Sequence, residues 1–320
     1  MFHPLLFGGL QRASRRTAIA PRPGPLQRVL DGVPVKPRPD DLVPPQREFV
    51  ILFTPRSGSS HLAQALASAG LADPREWLHP DFLAERAELF GTNSFEDYLG
   101  AVRALCSRDG VFGHKMAMTF YDRFSSEARL EDHFDFGAPA IVLYRQDIVQ
   151  QAVSLALAEQ RDFWHDTGGG APPRPWPAAY DPGAISRSLD WIADQERLTD
   201  EFVARKGMPV RYLSYEVLAS SPLAVVVEAI SDHVGAPADG DAASSDYRKL
   251  GGAANVEYAA RFVRENPARV RSISARRARF LRRAAEAPLL RTERPAQRGW
   301  FAEAIGAWAQ ALPSKTAPAA

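Results

Sequence analysis

One stretch of this chain fixes most of what it can fold into: Phe49-Val-Ile-Leu-Phe-Thr-Pro-Arg-Ser-Gly-Ser-Ser-His-Leu62. The apolar run at 49–53 stops at Thr54-Pro55, and such a run predicts a strand buried on both faces, as in a parallel sheet. A short turn of small polar residues follows. Leu62, Ala65, Leu66 and Ala69 then recur at helical spacing, so a helix is expected over residues 59–69, ended by Gly70. In a strand–loop–helix unit the loop N–H groups and the positive end of the helix dipole converge on one spot and attract an anion. Arg56 adds a planar cationic fork, and Ser57, Ser59 and Ser60 add hydroxyls around Gly58. The expected ligand is a phosphate or a sulfate ester. An ordinary Ser/Gly helix cap in any α/β protein would use the same residues.

Further strands are expected at residues 111–116, 140–144 and 210–215. Asp147 reads as the N-cap of a helix whose apolar face is Ile148, Val149, Ala152, Leu155 and Ala156. A long amphipathic helix is expected over 185–202. Another follows Ser221-Pro222 and ends at Gly235. Strands alternating with helices imply parallel β–α units and an α/β fold, a P-loop-like three-layer domain with a central, mostly parallel sheet. Ligands then bind beyond the carboxyl ends of the strands. The Gly/Pro-rich segment 168–175 reads as a lid or substrate loop.

A length of 320 residues suits one large α/β domain with extensions. We expect a poorly ordered Pro/Arg-rich arm over 1–46, the main domain over 47–265 and a basic, helical C-terminal extension over 266–320. The start of the arm is arginine-rich and acid-poor, as transit peptides are, but Pro21, Pro23 and Pro25 break any amphipathic helix there. The net charge of +1 carries no footprint for nucleic acid. Cys106 is the only cysteine, so no internal disulfide forms, which fits a cytoplasmic location. No apolar run is long enough for a transmembrane helix. Residues 264–298 hold eleven arginines against three acids, a local net of +8. That run reads either as a patch for peripheral contact with a membrane or another anionic surface, or as a solvated helix face.

The loop is not a Walker A sequence, because no lysine follows Gly58. Pro-Arg-Ser-Gly-Ser-Ser at 55–60 resembles instead the 5′-phosphosulfate loop of a bacterial sulfotransferase family that includes trehalose 2-sulfotransferase and the proteins labelled lipopolysaccharide sulfotransferases. A second element, Leu143-Tyr-Arg-Gln-Asp-Ile-Val-Gln-Gln-Ala-Val-Ser-Leu155, is similar to the part of that family that holds the donor's 3′-phosphate. The resemblance assigns this role to Arg145 and Ser154; two helical turns separate Asp147 from Ser154, so the serine returns to the face of the helix start. Asp246-Tyr-Arg-Lys-Leu250 resembles the family's C-terminal basic segment, with Lys249 on a family arginine position and Arg248 beside it, either of which would cover the nucleotide phosphates.

The same resemblance implies that Glu76 takes the proton of the acceptor hydroxyl. Gly113-His-Lys-Met116 resembles the family's Gly-x-Lys-Met element, bringing Lys115 toward the transferred group. His61 and His79 are candidates for the substrate cleft, and His79 and His114 are rival bases. Taken as a whole, the resemblance implies sulfuryl transfer from 3′-phosphoadenosine 5′-phosphosulfate to a carbohydrate or glycolipid hydroxyl, without a metal. Two other readings share these features: a nucleotide-dependent phosphotransferase, since kinases have the same architecture, and a catalytically silent nucleotide- or anion-binding protein. A monomer and a homo-oligomer both fit the sequence.

Overall fold

The apolar run at 49–53 becomes the inner part of the sheet. A computed structural model describes residues 25–36, 43–126, 128–162, 164, 179–247 and 252–290. In chain order these form α1 (Pro25–Leu30), β1 (Arg47–Phe53), α2 (Ser59–Ser68), α3 (Leu83–Phe90), α4 (Phe95–Leu105), β2 (Val111–Met116), α5 (Met118–Ser125) and β3 (Ala140–Tyr144). They continue with α6 (Ile148–Arg161), α7 (Pro182–Lys206), β4 (Val210–Ser214), α8 (Tyr215–Ser220), α9 (Leu223–Val234), α10 (Ala253–Glu265) and α11 (Pro267–Glu286).

The four strands are all parallel, in the order β2-β1-β3-β4, with helices flanking the sheet. Phe49, Val50, Ile51 and Leu52 are buried, as expected for a strand covered on both sides. The chain steps from β1 outward to β2 and then returns past β1 to β3. The carboxyl ends of β1 and β3 therefore flank the topological switch point, where parallel sheets open a crevice. A second apolar cluster joins α6, α7, α10 and α11 through Leu155, Leu189, Ile192, Phe262 and Ile273.

The basic segment is turned onto α7. On α11 the positions Val270, Ile273, Phe280 and Ala284 are buried and dock the helix. Around them, Arg269 pairs with Asp190, Arg276 with Asp190 and Asp194, and Arg279 and Arg283 with Asp200. The half-exposed pairs on Asp190 and Asp194 add about 0–1 kcal/mol each, so the apolar stripe carries most of the docking. Beyond α11, Ala287 accepts a hydrogen bond from Tyr212 N, and Leu289 N donates to Tyr212 O, so the chain covers the outer edge of β4.

Several details depart from the sequence reading. Residues 25–36, read there as part of the arm, include α1, whose Leu30 is fully buried. The Gln27 amide brackets the start of α4, accepting from Phe95 N and donating to Asn93 O. β4 ends one residue early because Ser214 caps α8, its hydroxyl accepting from Val217 N. Ser221 closes α8 and Pro222 stands at the N-cap of α9, so Ser221 does not cap the later helix. The loop at 168–175 lies outside the described residues. Among those residues, no helix is long and apolar enough to cross a membrane.

Gly113 sits opposite Phe49 in the β1–β2 register, and a Cβ there would lie 2.6 Å from Phe49 Cζ and 3.1 Å from the Ala72 methyl. Overpacking of this kind costs about 1–3 kcal/mol. Gly113→Ala is therefore predicted to lower the urea midpoint by a corresponding amount; an unchanged midpoint would show that the Phe49 ring moves aside freely.

Candidate active site

The loop after β1 is folded so that its donors face outward from the switch point. Arg56 has φ +67° and Gly58 φ +87°. A left-handed arginine stores about 1–3 kcal/mol of backbone strain and persists only where its surroundings enforce it. Gly58 is needed twice over: its backbone is left-handed, and a Cβ would approach Tyr215 Cδ2 to 3.0 Å. The Ser57 hydroxyl donates to Thr54 O at 2.7 Å and is fully buried, so what Ser57 offers a ligand is its backbone N–H. Gln151, buried on α6, donates to both Thr54 Oγ1 and Pro55 O at 2.8 Å. It ties the β1 loop to the helix after β3.

Helix α2 begins at Gly58 with no side-chain cap and no acid in its first turn. Among the described residues, none accepts a hydrogen bond from the backbone N–H of residues 57–61. The positive end of the dipole is therefore unneutralised and points at the crevice.

The loop after β3 faces it. Asp147 caps α6, accepting from Gln150 N at 2.9 Å. Arg145 leaves this turn, lies 4.7 Å over the Tyr215 ring and donates to Gln150 Oε1 at 3.0 Å. Its Nε is buried and makes no hydrogen bond; the Glu216 carboxylate is 3.8 Å away. Arg56 reaches across, with Nε donating to Ser154 Oγ at 3.0 Å and Nη1 to Trp164 O. Burial, and then the Arg145 charge, lower the Arg56 pKa to about 10. Among the described residues, no carboxylate pairs with Arg56. Two guanidinium groups thus converge in a partly desolvated place, an arrangement that an anion would relieve.

Beside this cradle stands a carboxylate. Lys115 Nζ lies 3.3 Å from Glu76 Oε1 and 3.4 Å from Ser60 Oγ, linking the first loop to Glu76. Glu76 lines a pocket with Phe53, Thr119, Phe120, Glu159 and Trp191. His79 is buried, with its ring 4.7 Å from Phe120 and 4.8 Å from Phe82, and burial lowers its pKa. His61 Nδ1 is buried without a hydrogen bond, and desolvation again lowers the pKa.

The geometry thus groups Arg56, Gly58, Ser59, Ser60, Arg145 and Ser154 at the crevice, with Glu76 and Lys115 at its side. Arg248 and Lys249 lie outside the described residues. Sequence reasoning missed Gln151, Glu216 and Arg277, which act on the backbone of the two loops, and Tyr215, whose ring lies under Arg145 and against Gly58. Gln151 had a signal, being a polar residue among the apolar positions of α6. Glu216 had one too, an acid just past the carboxyl end of a strand.

A crevice with two converging guanidinium groups at a switch point, and a carboxylate beside an apolar-walled pocket, is the arrangement of an α/β protein built to meet an anion. The model of the family described as Stf0 sulphotransferase matches residues 48–265. The chain belongs to this family and is a sulfotransferase. No curated protein matches the chain.

His114, a rival to Glu76, is excluded by its position. It is buried on β2 against Phe112 and Phe134, both ring nitrogens lack hydrogen bonds, and burial followed by the Arg103 charge lowers its pKa to about 3. The unfolded chain binds a proton at its usual pKa of about 6.5. The stability this neutral ring supplies is complete above that pH and is lost on acidification, by up to about 1.4 kcal/mol per pH unit. We predict that His114→Leu flattens the fall in urea stability between pH 6.5 and 5; a slope equal to the wild type would show that the imidazole takes up its proton in the folded state.

Proposed function

We propose that the protein transfers a sulfuryl group from 3′-phosphoadenosine 5′-phosphosulfate to a hydroxyl of a carbohydrate or glycolipid. The observation that carries this reading is the Arg56–Ser154 hydrogen bond, which joins a residue of the loop after β1 to one on the helix after β3. One nucleotide with phosphates at both its 5′ and 3′ positions suits two such neighbouring cradles. In this reading the N–H groups of 57–60, the Arg56 guanidinium and the Ser60 hydroxyl hold the phosphosulfate. Arg145 and Ser154 hold the 3′-phosphate, and Lys249 or Arg248 closes over the nucleotide. Donor binding exchanges the Arg56–Ser154 bond for bonds to the ligand, a charge-assisted and therefore stronger arrangement.

The chemistry follows from where charge develops. The acceptor oxygen attacks sulfur in line. The bond from sulfur to the bridging oxygen breaks, and its electron pair stays on the departing phosphate. Donors aimed at that oxygen stabilise the transition state more than the ground state. Glu76 takes the hydroxyl proton as the new S–O bond acidifies it. Lys115, between Ser60 and Glu76, turns toward the phosphosulfate when the donor enters and releases the carboxylate. The rings of Phe53, Phe120 and Trp191 suit the C–H face of a sugar, and Glu76, Thr119 and Glu159 suit its hydroxyls. His79 packs behind Phe120 of that wall. The catalytic domain spans 47–265, and the segment from 266 onward is an extension that reaches back to it through α11.

Calorimetry tests the donor class. Adenosine 3′,5′-bisphosphate should bind at least tenfold tighter than ATP with Mg²⁺, a gap of about 1.4 kcal/mol; preference for ATP would favour phosphotransfer and overturn the proposal. Glu76→Gln should keep the bisphosphate Kd within about twofold. It should slow transfer of labelled sulfate into a sugar and glycolipid extract by roughly 10²–10⁴-fold, the range for a general base. Turnover at the wild-type rate would place the proton acceptor elsewhere.

A further inference from the structure

Arg277 lies beyond the residues that match the family, yet it reaches the turn from which Arg145 leaves. We propose that the Arg277–Glu196 pair is a positioning device that aims Arg145 at the donor's 3′-phosphate; the inference rests on the donor reading above. Both side chains are buried, at 4% and 2% exposure. The Arg277 fork donates from Nε to Glu196 Oε2 and from Nη2 to Glu196 Oε1, both at 2.7 Å. The same guanidinium donates from Nη2 to the carbonyl of Arg145 at 2.7 Å and from Nη1 to the carbonyl of Gln146 at 3.0 Å. Glu216 grips the turn through its amides, accepting from Gln146 N at 2.9 Å and Asp147 N at 3.2 Å. The peptide groups at 145–147 are therefore held by a cation on their oxygens and by an anion on their nitrogens. That leaves the direction of the Arg145 side chain little freedom.

Stability alone does not account for a charge at this place. Arg277 occupies the stripe that docks α11, between Ile273 and Phe280, where the other buried positions are apolar or Ala. A buried ion pair gives no more stability than well-packed apolar residues of similar volume, and often less. Nor does Arg277 add its field to the site, because Glu196 compensates its charge at contact distance. What an apolar residue cannot supply is the pair of hydrogen bonds to the carbonyls of Arg145 and Gln146. A lysine cannot supply them either while it also faces the carboxylate, since an ammonium lacks the planar fork.

The test uses the full chain and two ligands that differ at the 3′ position, adenosine 3′,5′-bisphosphate and adenosine 5′-phosphosulfate. In Arg277→Lys the bisphosphate Kd should rise at least tenfold while the Kd for the phosphosulfate, which has no 3′-phosphate, stays within twofold. A bisphosphate Kd equal to the wild type, or an equal loss for both ligands, would overturn the positioning role, since a generally loosened fold weakens both. Should the lysine variant fail to fold, the double variant Arg277→Met with Glu196→Leu removes both charges and refills the volume. The same selective loss is expected there, and full bisphosphate affinity would overturn the proposal. A wild-type protein that binds the two ligands equally would instead overturn the donor reading on which the inference rests.

Discussion

The guanidinium groups of Arg56 and Arg145 are held near each other in a partly buried crevice, and the surrounding structure is arranged around that unfavourable pairing. Burial, and after it the like charge of Arg145, hold the Arg56 pKa below its usual value. The arrangement survives because each arginine is anchored through groups other than a strong counter-ion. Arg56 is turned into the crevice by a left-handed backbone and restrained by Ser154 and Trp164 O. Tyr215 packs on Gly58 of the first loop and under the guanidinium of Arg145 in the second. Gln151 ties the first loop to α6, and Glu216 and Arg277 hold the turn of the second. An anion between the two guanidinium groups would offset that repulsion.

The parallel order of the strands makes this arrangement possible. With β1 and β3 adjacent and parallel, the loops that leave them open on the same edge of the sheet. Lys115 and His114 show how the alternation of a strand separates two neighbours. Lys115 faces the crevice and meets Ser60 and Glu76, whereas His114 is enclosed by aromatic rings and takes no part. A histidine enclosed by rings and a lysine open to the crevice thus sit next to each other on β2.

Much of this was legible in the sequence because buried parallel strands read as apolar runs with sharp ends. β2 and β3 fall on the expected residues, and β1 extends the expected run by two residues at its start. The positions of the two loops after β1 and β3 were legible because small residues and arginines at fixed distances from a strand leave a pattern. Residues acting on backbone atoms left less. Arg277 was hidden inside a basic run whose composition dominated the reading, although its place on the stripe with Val270, Ile273, Phe280 and Ala284 singles it out. Helix α1 was hidden by its prolines, since one buried leucine and one bracketing glutamine make no periodic pattern.

The most direct measurement is a crystal structure of the protein with adenosine 3′,5′-bisphosphate bound. The expected result is a broken Arg56–Ser154 hydrogen bond, with the 5′-phosphate on the N–H groups at the start of α2 and the 3′-phosphate between Arg145 and Ser154. A nucleotide with both phosphates on one loop, or seated away from the edge shared by β1 and β3, would contradict it.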